Sequence, residues 1–125
     1  MYQEIDFVND TELSRGKLLG ALGLARKAGK LIVGGELCEQ NIRAGKAVLA
    51  LLCSDLSDNS KKKLHAALRA GDIPYIVLPF SKAELAERFG KKSFAVVCAV
   101  TDDSFAKVIY KAIGVSESQD LHDSK

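Results

Sequence analysis

The residues best suited to binding chemistry surround a pair of glycines, Gly34 and Gly35, at the predicted start of a helix. Two adjacent glycines remove two Cβ atoms, so a ligand can approach the backbone closely there. The first N–H groups of a helix have no partner within the helix and carry partial positive charge, which favours phosphate. Lys30 precedes the glycines and Lys46 follows the helix. Charge, glycine and open amide donors coincide, and the pattern predicts an anion-binding surface.

The helix after the glycines has two faces. Side chains with hydrogen-bonding groups project outward: Glu36, Glu39, Gln40 and Arg43. Apolar side chains can turn inward: Leu37, Cys38 and Ile42. Other basic side chains lie at the preceding junction (Arg26 and Lys27) or form short runs at 61–63 and 91–92. Because a charged run is usually a solvated face, we interpret the run at 61–63 in that way.

Catalytic and metal-binding patterns are missing from the sequence. It contains no phosphate-binding loop, paired-cysteine zinc pattern, His-Glu-x-x-His or Gly-x-Ser-x-Gly segment, and no Cys-x-x-x-x-x-Arg loop of a phosphatase. The cysteines stand in apolar runs, and we interpret them as buried thiols in a reducing compartment: Cys38, Cys53 and Cys98. His65 and His122 fit a solvated surface, and Asp102 with Asp103 fits a helix cap. We therefore predict a protein that is not an enzyme and has no cofactor or metal.

Charge is distributed unevenly along the chain. Of the 18 basic and 16 acidic side chains, residues 1–12 and 114–125 together hold seven carboxylates and one lysine, so residues 13–113 carry a net charge of +8. A compact basic body favours a polyanionic partner, although surface lysines also serve solubility. No segment has the apolar length of a membrane span, and the N-terminus lacks a signal-peptide pattern. We therefore expect a cytoplasmic protein without membrane contact.

Alternating helices and apolar strands must position these residues. Helices with their caps are predicted over 13–28, 35–44, 61–70, 81–90 and 101–112, and strands over 31–33, 48–53, 75–78 and 94–100. Continuous apolar runs indicate strands covered on both faces. We therefore predict an α/β fold, a three-layer α/β/α sandwich with a central, mostly buried, four-stranded mixed sheet. Close packing would explain Gly16, Gly20 and Gly23 inside the first helix, and Gly71 should end the third.

The chain is predicted to form one domain with two polar ends. Residues 1–12 are predicted to form a flexible acidic lead, and residues 13–113 are predicted to form a single α/β/α domain. Residues 114–125 are predicted to be a disordered tail. Neither end contributes to the predicted core. Deleting residues 1–10 and 116–125 is therefore expected to leave the melting temperature almost unchanged.

Several separated motifs carry a family resemblance. The run at 24–31 (Leu-Ala-Arg-Lys-Ala-Gly-Lys-Leu) precedes Gly34 and Glu36, and the run at 42–47 (Ile-Arg-Ala-Gly-Lys-Ala) follows. Further motifs continue the match: Ser54-Asp55 through Asn59 to Lys63, Ile73-Pro74, Leu85, Gly90-Lys91 and Phe105-Ala106-Lys107. In this order and spacing, over about residues 16–113, the motifs resemble bacterial members of the ribosomal protein L7Ae/L30e family, and most closely its YlxQ-type branch.

The resemblance implies an α/β/α sandwich that binds RNA, typically kink-turns, in ribosomal or other ribonucleoprotein particles. Family members read the sheared G·A pairs of a kink-turn with a Gly-x-Asn-Glu-x-x-Lys segment at a helix start. Gly34 and Gly35 match its beginning, and three different residues occupy the Asn, Glu and Lys positions: Glu36, Leu37 and Gln40. The turn that relatives lay against the flipped-out base corresponds to Lys91-Lys92-Ser93. We therefore expect RNA binding with altered kink-turn specificity.

The leading interpretation is a non-catalytic RNA-binding protein of ribosomes or translation. The expected RNA contacts are basic side chains, the glycine pair and three residues of the following helix: Lys27, Lys30, Gly34, Gly35, Glu36, Leu37, Gln40, Arg43, Lys46, Lys91 and Lys92. The expected partner is structured RNA, and the protein should be monomeric without it. The alternative is a protein–protein interaction module on the same scaffold, in which Leu37 contacts a protein.

Overall fold

The computed structural model of the chain describes residues 1–7, 10–89 and 97–115. Within these ranges five helices alternate with four strands, as predicted. In chain order the elements are α1 (Glu12–Lys27), β1 (Leu31–Val33), α2 (Gly35–Arg43), β2 (Leu49–Leu52), α3 (Asp58–Gly71), β3 (Tyr75–Val77), α4 (Lys82–Phe89), β4 (Val97–Val100) and α5 (Asp103–Ala112). None of these helices combines the length and apolar character needed to span a bilayer.

The four strands form one mixed sheet in the order β1–β4–β2–β3. Strand β4 is antiparallel to β1 and β2, whereas β2 and β3 are parallel. Every residue of β2 and β4 is buried, because the central strands are covered on both faces. Helix α1 packs with α5, and α2 packs with α3. The predicted three-layer α/β/α sandwich with a four-stranded mixed sheet is confirmed.

Local capping signals account for most element boundaries. A capping box starts α4, since Ser81 N–H donates to Glu84 Oε1 at 2.7 Å and Glu84 N–H donates to Ser81 Oγ at 3.2 Å. Helix α1 has a similar box between Thr11 and Ser14. Helix α3 starts three residues earlier than predicted, because the Ser57 hydroxyl caps it by accepting the Ser60 N–H at 3.2 Å.

Gly71 ends α3 as predicted, whereas the packing role expected of three glycines in α1 is wrong. Gly71 is the last residue of α3 and Asp72 takes the left-handed conformation that follows it, with φ +56°. A Cβ on Gly71 would lie 2.6 Å from the carbonyl oxygen of Ile42, so glycine allows α3 to pack against the end of α2. In contrast, no atom from another part of the described chain lies within 4 Å of the Cβ positions of Gly16, Gly20 and Gly23. Close packing therefore does not explain these three residues of α1.

The prediction of a flexible acidic lead is wrong for residues 2–5. Ile5 N–H donates to the Tyr75 carbonyl at 2.8 Å, and Tyr75 N–H donates to the Gln3 carbonyl at 3.0 Å. The Ile5 side chain is buried, and the Tyr2 ring stacks on the Tyr75 ring at 5.8 Å between centroids. Strand β3 is an edge strand, and its free backbone groups recruit this segment. Too few residues are involved for the sequence to show a periodic pattern.

The C-terminal prediction also needs a correction at its first residues. Val115 is buried, and its N–H donates to the Tyr110 carbonyl at 2.9 Å, so the packed domain continues to Val115. The remainder of the predicted disordered tail, residues 116–125, lies outside the described residues, as do residues 94–96 of the last predicted strand.

Protonation of His65 in acid is expected to weaken the packing of the N-terminal segment and to lower the stability of the protein. Tyr2 Oη and His65 Nδ1 are 2.7 Å apart, and the Tyr75 ring lies edge-on to the imidazole. Partial burial lowers the pKa of His65 below its ordinary value of 6.5, with contributions from Arg69 and Lys61 that exceed the opposing one from Glu4. The unfolded chain therefore binds this proton more readily, and stability falls as the pH drops through 6.5.

The measurement is the melting temperature at about pH 7 and about pH 5.5 for the unmodified protein and for His65→Gln, which cannot titrate. The melting temperature of the unmodified protein should fall more on acidification than that of His65→Gln, because the two proteins share every other titrating group. Equal losses would show that His65 does not couple the segment to pH.

Candidate nucleic-acid interface

The first backbone donors of α2 have no acceptor in the described part of the chain. Gly34 caps the helix with φ +122° and ψ 137°, a conformation that residues with side chains rarely adopt, and its N–H donates to the Val97 carbonyl at 3.0 Å. Among the residues that the structure describes, no side chain caps the helix. Within the described ranges, no acceptor faces the N–H groups of Gly35, Glu36 and Leu37. Three amide donors at the positive end of the helix are thus available to a ligand.

Three side chains define the outer face of this helix start. Glu36 and Gln40 are exposed, as predicted. Leu37 is 51% exposed, so the expectation that it could turn inward is wrong. Cys38 and Ile42 are fully buried and hold the opposite face against the core. The arrangement places two hydrogen-bonding heads on either side of an exposed leucine.

The buried face of α2 is fixed to the sheet through a thiol. Cys38 Sγ donates to the carbonyls of Ile32 at 3.3 Å and Val97 at 3.5 Å. Burial raises the pKa of the Cys38 thiol, and likewise raises the pKa of Cys98 to about 12 and of Cys53 to about 11. All three cysteines are free and buried, as predicted, so they are protonated at neutral pH and lack the thiolate needed for nucleophilic chemistry. In the part of the chain that is described, no group of three His, Cys, Asp or Glu side chains could hold a metal ion.

Strand direction determines at which end of the sheet each basic residue lies. Leu31 and Leu49 both pair with Val100, so β1 and β2 begin at the same end. Lys30 lies at that end, where its carbonyl accepts the Thr101 N–H at 3.0 Å. Gly34 lies at the other end, four extended residues or about 13 Å away. The coincidence of Lys30 with the glycine pair that the sequence predicts is therefore not present in the fold.

Arg43 and Lys46 are also distant from the glycine pair. Helix α2 has nine residues, so Arg43 lies about 12 Å along its axis from Gly35. Arg43 Nε is 3.5 Å from Glu39 Oε2. Lys46, like Lys27 and Lys30, is exposed. Lys91 and Lys92 lie outside the described residues.

The structure places a basic residue, Lys63, beside the glycine pair, although the sequence assigned this lysine to a solvated run. A cavity of about 380 Å³ lies between the starts of α2 and α3 and is lined by Gly35, Glu36, Glu39, Ser60, Lys63 and Leu64. Strands β1, β2 and β3 share one direction, so α2, α3 and α4 all begin at their carboxyl ends. The shared strand direction is the signal that would have pointed to Lys63 as a site residue. Strand direction cannot be read from the local sequence.

A hydrogen bond fixes the start of α4 at the same end of the sheet. The Asp55 carboxylate, which follows β2, accepts the Lys82 N–H at 2.8 Å. This bond is the main cause of the lowered pKa of Asp55, which stays ionised at neutral pH. We call the end of the sheet that carries Gly34, Asp55, Lys63 and Lys82 the carboxyl-end face. Helix starts and basic groups meet there beside the carboxylates of Glu36, Glu39 and Asp55, so the groups that attract a polyanion are the backbone N–H donors and Lys63.

Comparison with known proteins places this chain in a family. The sequence profile of the ribosomal protein L7Ae/L30e/S12e/Gadd45 family matches residues 16–110. The chain belongs to this family. Its relatives include RNA-binding protein YlxQ of Enterococcus faecium, 40% identical over 98 residues that cover 77% of this chain and 90% of the relative. RNA-binding protein YlxQ of Bacillus subtilis (strain 168) is 40% identical over 85 residues, covering 68% and 83%. The predicted YlxQ-like branch is thus confirmed.

Solved structures share the fold. A protein of unknown function from Bacillus halodurans C superposes with a TM-score of 0.68 at 32% identity, covering 78% of this chain and 96% of that one. The 15.5kD RNA binding protein of Giardia lamblia has a TM-score of 0.63 at 20% identity, covering 85% and 89%. At that identity the second match concerns the fold alone.

Proposed function

We propose that this protein is a non-catalytic RNA-binding protein that acts in the cytoplasm with ribosomes or another ribonucleoprotein particle, and that it is monomeric without RNA. The observation that carries the proposal is the open, glycine-capped start of α2 in a chain 40% identical to two proteins named for RNA binding. Free backbone donors, a helix dipole and a neighbouring lysine are what RNA phosphates and base edges require.

The proposed RNA lies along α2. At the carboxyl-end face its phosphates meet the N–H groups of Gly35–Leu37 and the ammonium group of Lys63, which borders the same cavity. Its bases meet Glu36 and Gln40, with Leu37 supplying apolar contact. Farther along the helix, Arg43 and Lys46 continue the basic surface. Lys27 and Lys30, at the opposite end of the sheet, and Lys91 and Lys92 complete the proposed set of contacts.

Binding of kink-turn-like RNA is the finer form of this proposal, and it follows from the family. Glu36 accepts hydrogen bonds from guanine amino and imino groups but repels nearby phosphate. Leu37 offers no hydrogen bond, and Gln40 lacks the ammonium charge that relatives direct at guanine. A standard kink-turn should therefore bind weakly, and the preferred RNA should present donors to Glu36.

A protein partner is the second candidate, favoured by one observation. Leu37 is 51% exposed beside open backbone donors, and exposed apolar residues often contribute to protein interfaces. In that case the same helix start would bind an acidic protein surface, and Leu37 would fill an apolar pocket of the partner.

Salt dependence distinguishes the two candidates. Affinity for structured RNA should fall linearly on a logarithmic scale with salt, with a slope of about −0.7 to −0.9 per neutralised phosphate. Lys63→Gln should reduce the magnitude of the slope by the amount that corresponds to about one neutralised phosphate. Lys107→Gln, on α5 and outside the proposed surface, should leave the slope unchanged. Fluorescence titration at several salt concentrations measures both. No RNA binding at low salt, or a flat salt response, would favour the protein partner.

A further inference from the structure

A second surface lies between α1 and α5, away from the proposed RNA contacts on α2. An open groove of about 570 Å³ runs between these helices, and its lining is mostly apolar. It contains two large apolar side chains that the core does not cover: Leu24, which is 62% exposed, and Val108, which is 45% exposed. The exposure of Val108 shows that α5 has an apolar strip with no partner among the described residues.

Gly20 makes the groove deeper. It lies in the interior of α1, where glycine costs stability relative to alanine. Its backbone φ is not positive, and no atom of another part of the described chain lies within 4 Å of its Cβ position. Neither conformation nor internal packing thus requires glycine, and its effect is to leave room beside Leu24 for a side chain from elsewhere.

The charge of the groove indicates the chemistry of its occupant. Lys17 and Lys111 line it, and none of its described lining residues is acidic. Neither lysine has an ion-pair partner in the described ranges. A second copy of the chain would place lysine against lysine, which is unfavourable. The fitting occupant is a segment with an apolar side chain flanked by carboxylates.

Residues 116–125 of the same chain have this composition. They contain three carboxylates, Glu117, Asp120 and Asp123, and a single apolar residue, Leu121. The segment follows Val115, only three residues after Ala112, which itself lines the groove. Ten residues reach at most about 35 Å, so the groove is within range. A tethered segment also has a high effective concentration, which makes a small contact area sufficient.

We propose that residues 116–125 bind in the groove between α1 and α5, with Leu121 against Leu24 and Val108 and the carboxylates beside Lys17 and Lys111. This contact does not depend on RNA binding. Where the proposed function also holds, the segment brings negative charge close to the basic body of the protein, and its removal should tighten RNA binding.

The test attaches a nitroxide spin label to Ser124→Cys, which is selective because the three natural cysteines are buried. In the full chain, the label should broaden the backbone amide signals of Gly20 and Leu24 on α1 beyond the level that chain connectivity alone produces, which the Leu24→Glu variant measures. Leu24→Glu should abolish this broadening, whereas Leu13→Glu, equally exposed on α1 but outside the groove, should not. About 1 M NaCl, where the Debye length is about 3 Å, should weaken it.

Two controls complete the experiment. A synthetic peptide of residues 116–125, added to the chain shortened after Val115, should shift the same α1 amides in a saturable way. A mixture of isotope-labelled chain and spin-labelled, unlabelled chain reports contacts between copies. Broadening confined to the end of α5, no peptide-induced shift, or broadening that arises only between copies would each overturn the proposal.

Discussion

Replacing three residues of α2 with the kink-turn set implied by the family resemblance should tighten binding of a standard kink-turn RNA by at least about tenfold, or 1.4 kcal/mol. The changes are Glu36→Asn, Leu37→Glu and Gln40→Lys. Each substitution restores, at an exposed position, the side chain that the family segment carries there, and each base contact of this kind contributes about 1–3 kcal/mol of discrimination. The fold should not change, because the buried contacts of α2 run through Cys38 and Ile42.

The measurement is a titration of both proteins against one kink-turn RNA and against the same RNA without its G·A pairs. The triple variant should gain affinity for the first RNA and little for the second. This comparison separates base reading from the electrostatic effect of the variant's one added net positive charge. Equal gains for both RNAs would indicate electrostatics alone. Tight, selective binding by the unmodified protein would show that recognition does not run through these positions.

Deleting residues 1–10 should lower the stability of the protein by about 2–4 kcal/mol. The deletion removes the burial of Ile5, two backbone hydrogen bonds to Tyr75 and the stacking of Tyr2. It also removes the ion pair of Asp10 with Arg15, which is exposed and contributes little. For a domain of this size the melting temperature should fall by roughly 10 °C.

Two point variants serve as matched controls for the deletion. Ile5→Ala in the full chain should reproduce about half of the loss, whereas Asp6→Ala, at an exposed neighbour, should leave the melting temperature unchanged. An unaltered melting temperature after the deletion would mean that the segment does not stabilise the domain, and the flexible lead expected from the sequence would be the correct description.

Features set by local interactions could be predicted from the sequence. The capping box at Ser81 and Glu84 uses only neighbouring atoms, so four residues are enough to identify it. The apolar runs of β2 and β4 report burial on both faces directly, because a strand with no polar side can only lie inside the sandwich. Gly34 marks the start of α2 for a local reason as well, because its φ of +122° is a backbone conformation that residues with side chains rarely adopt.

Features that depend on distant pairing were decided by the tertiary structure. Lys30 is four residues from Gly34, yet the extended β1 places them at opposite ends of the sheet, while α3 brings Lys63 beside Gly35 from nearly thirty residues away. Residues 2–5 pair with β3 because that strand is at the edge, a property of the strand order alone. The sequence by itself thus determined which segments form helices and strands and which family they build. Strand order and direction, set by the balance of contacts over the whole chain, decided which side chains meet in the candidate site.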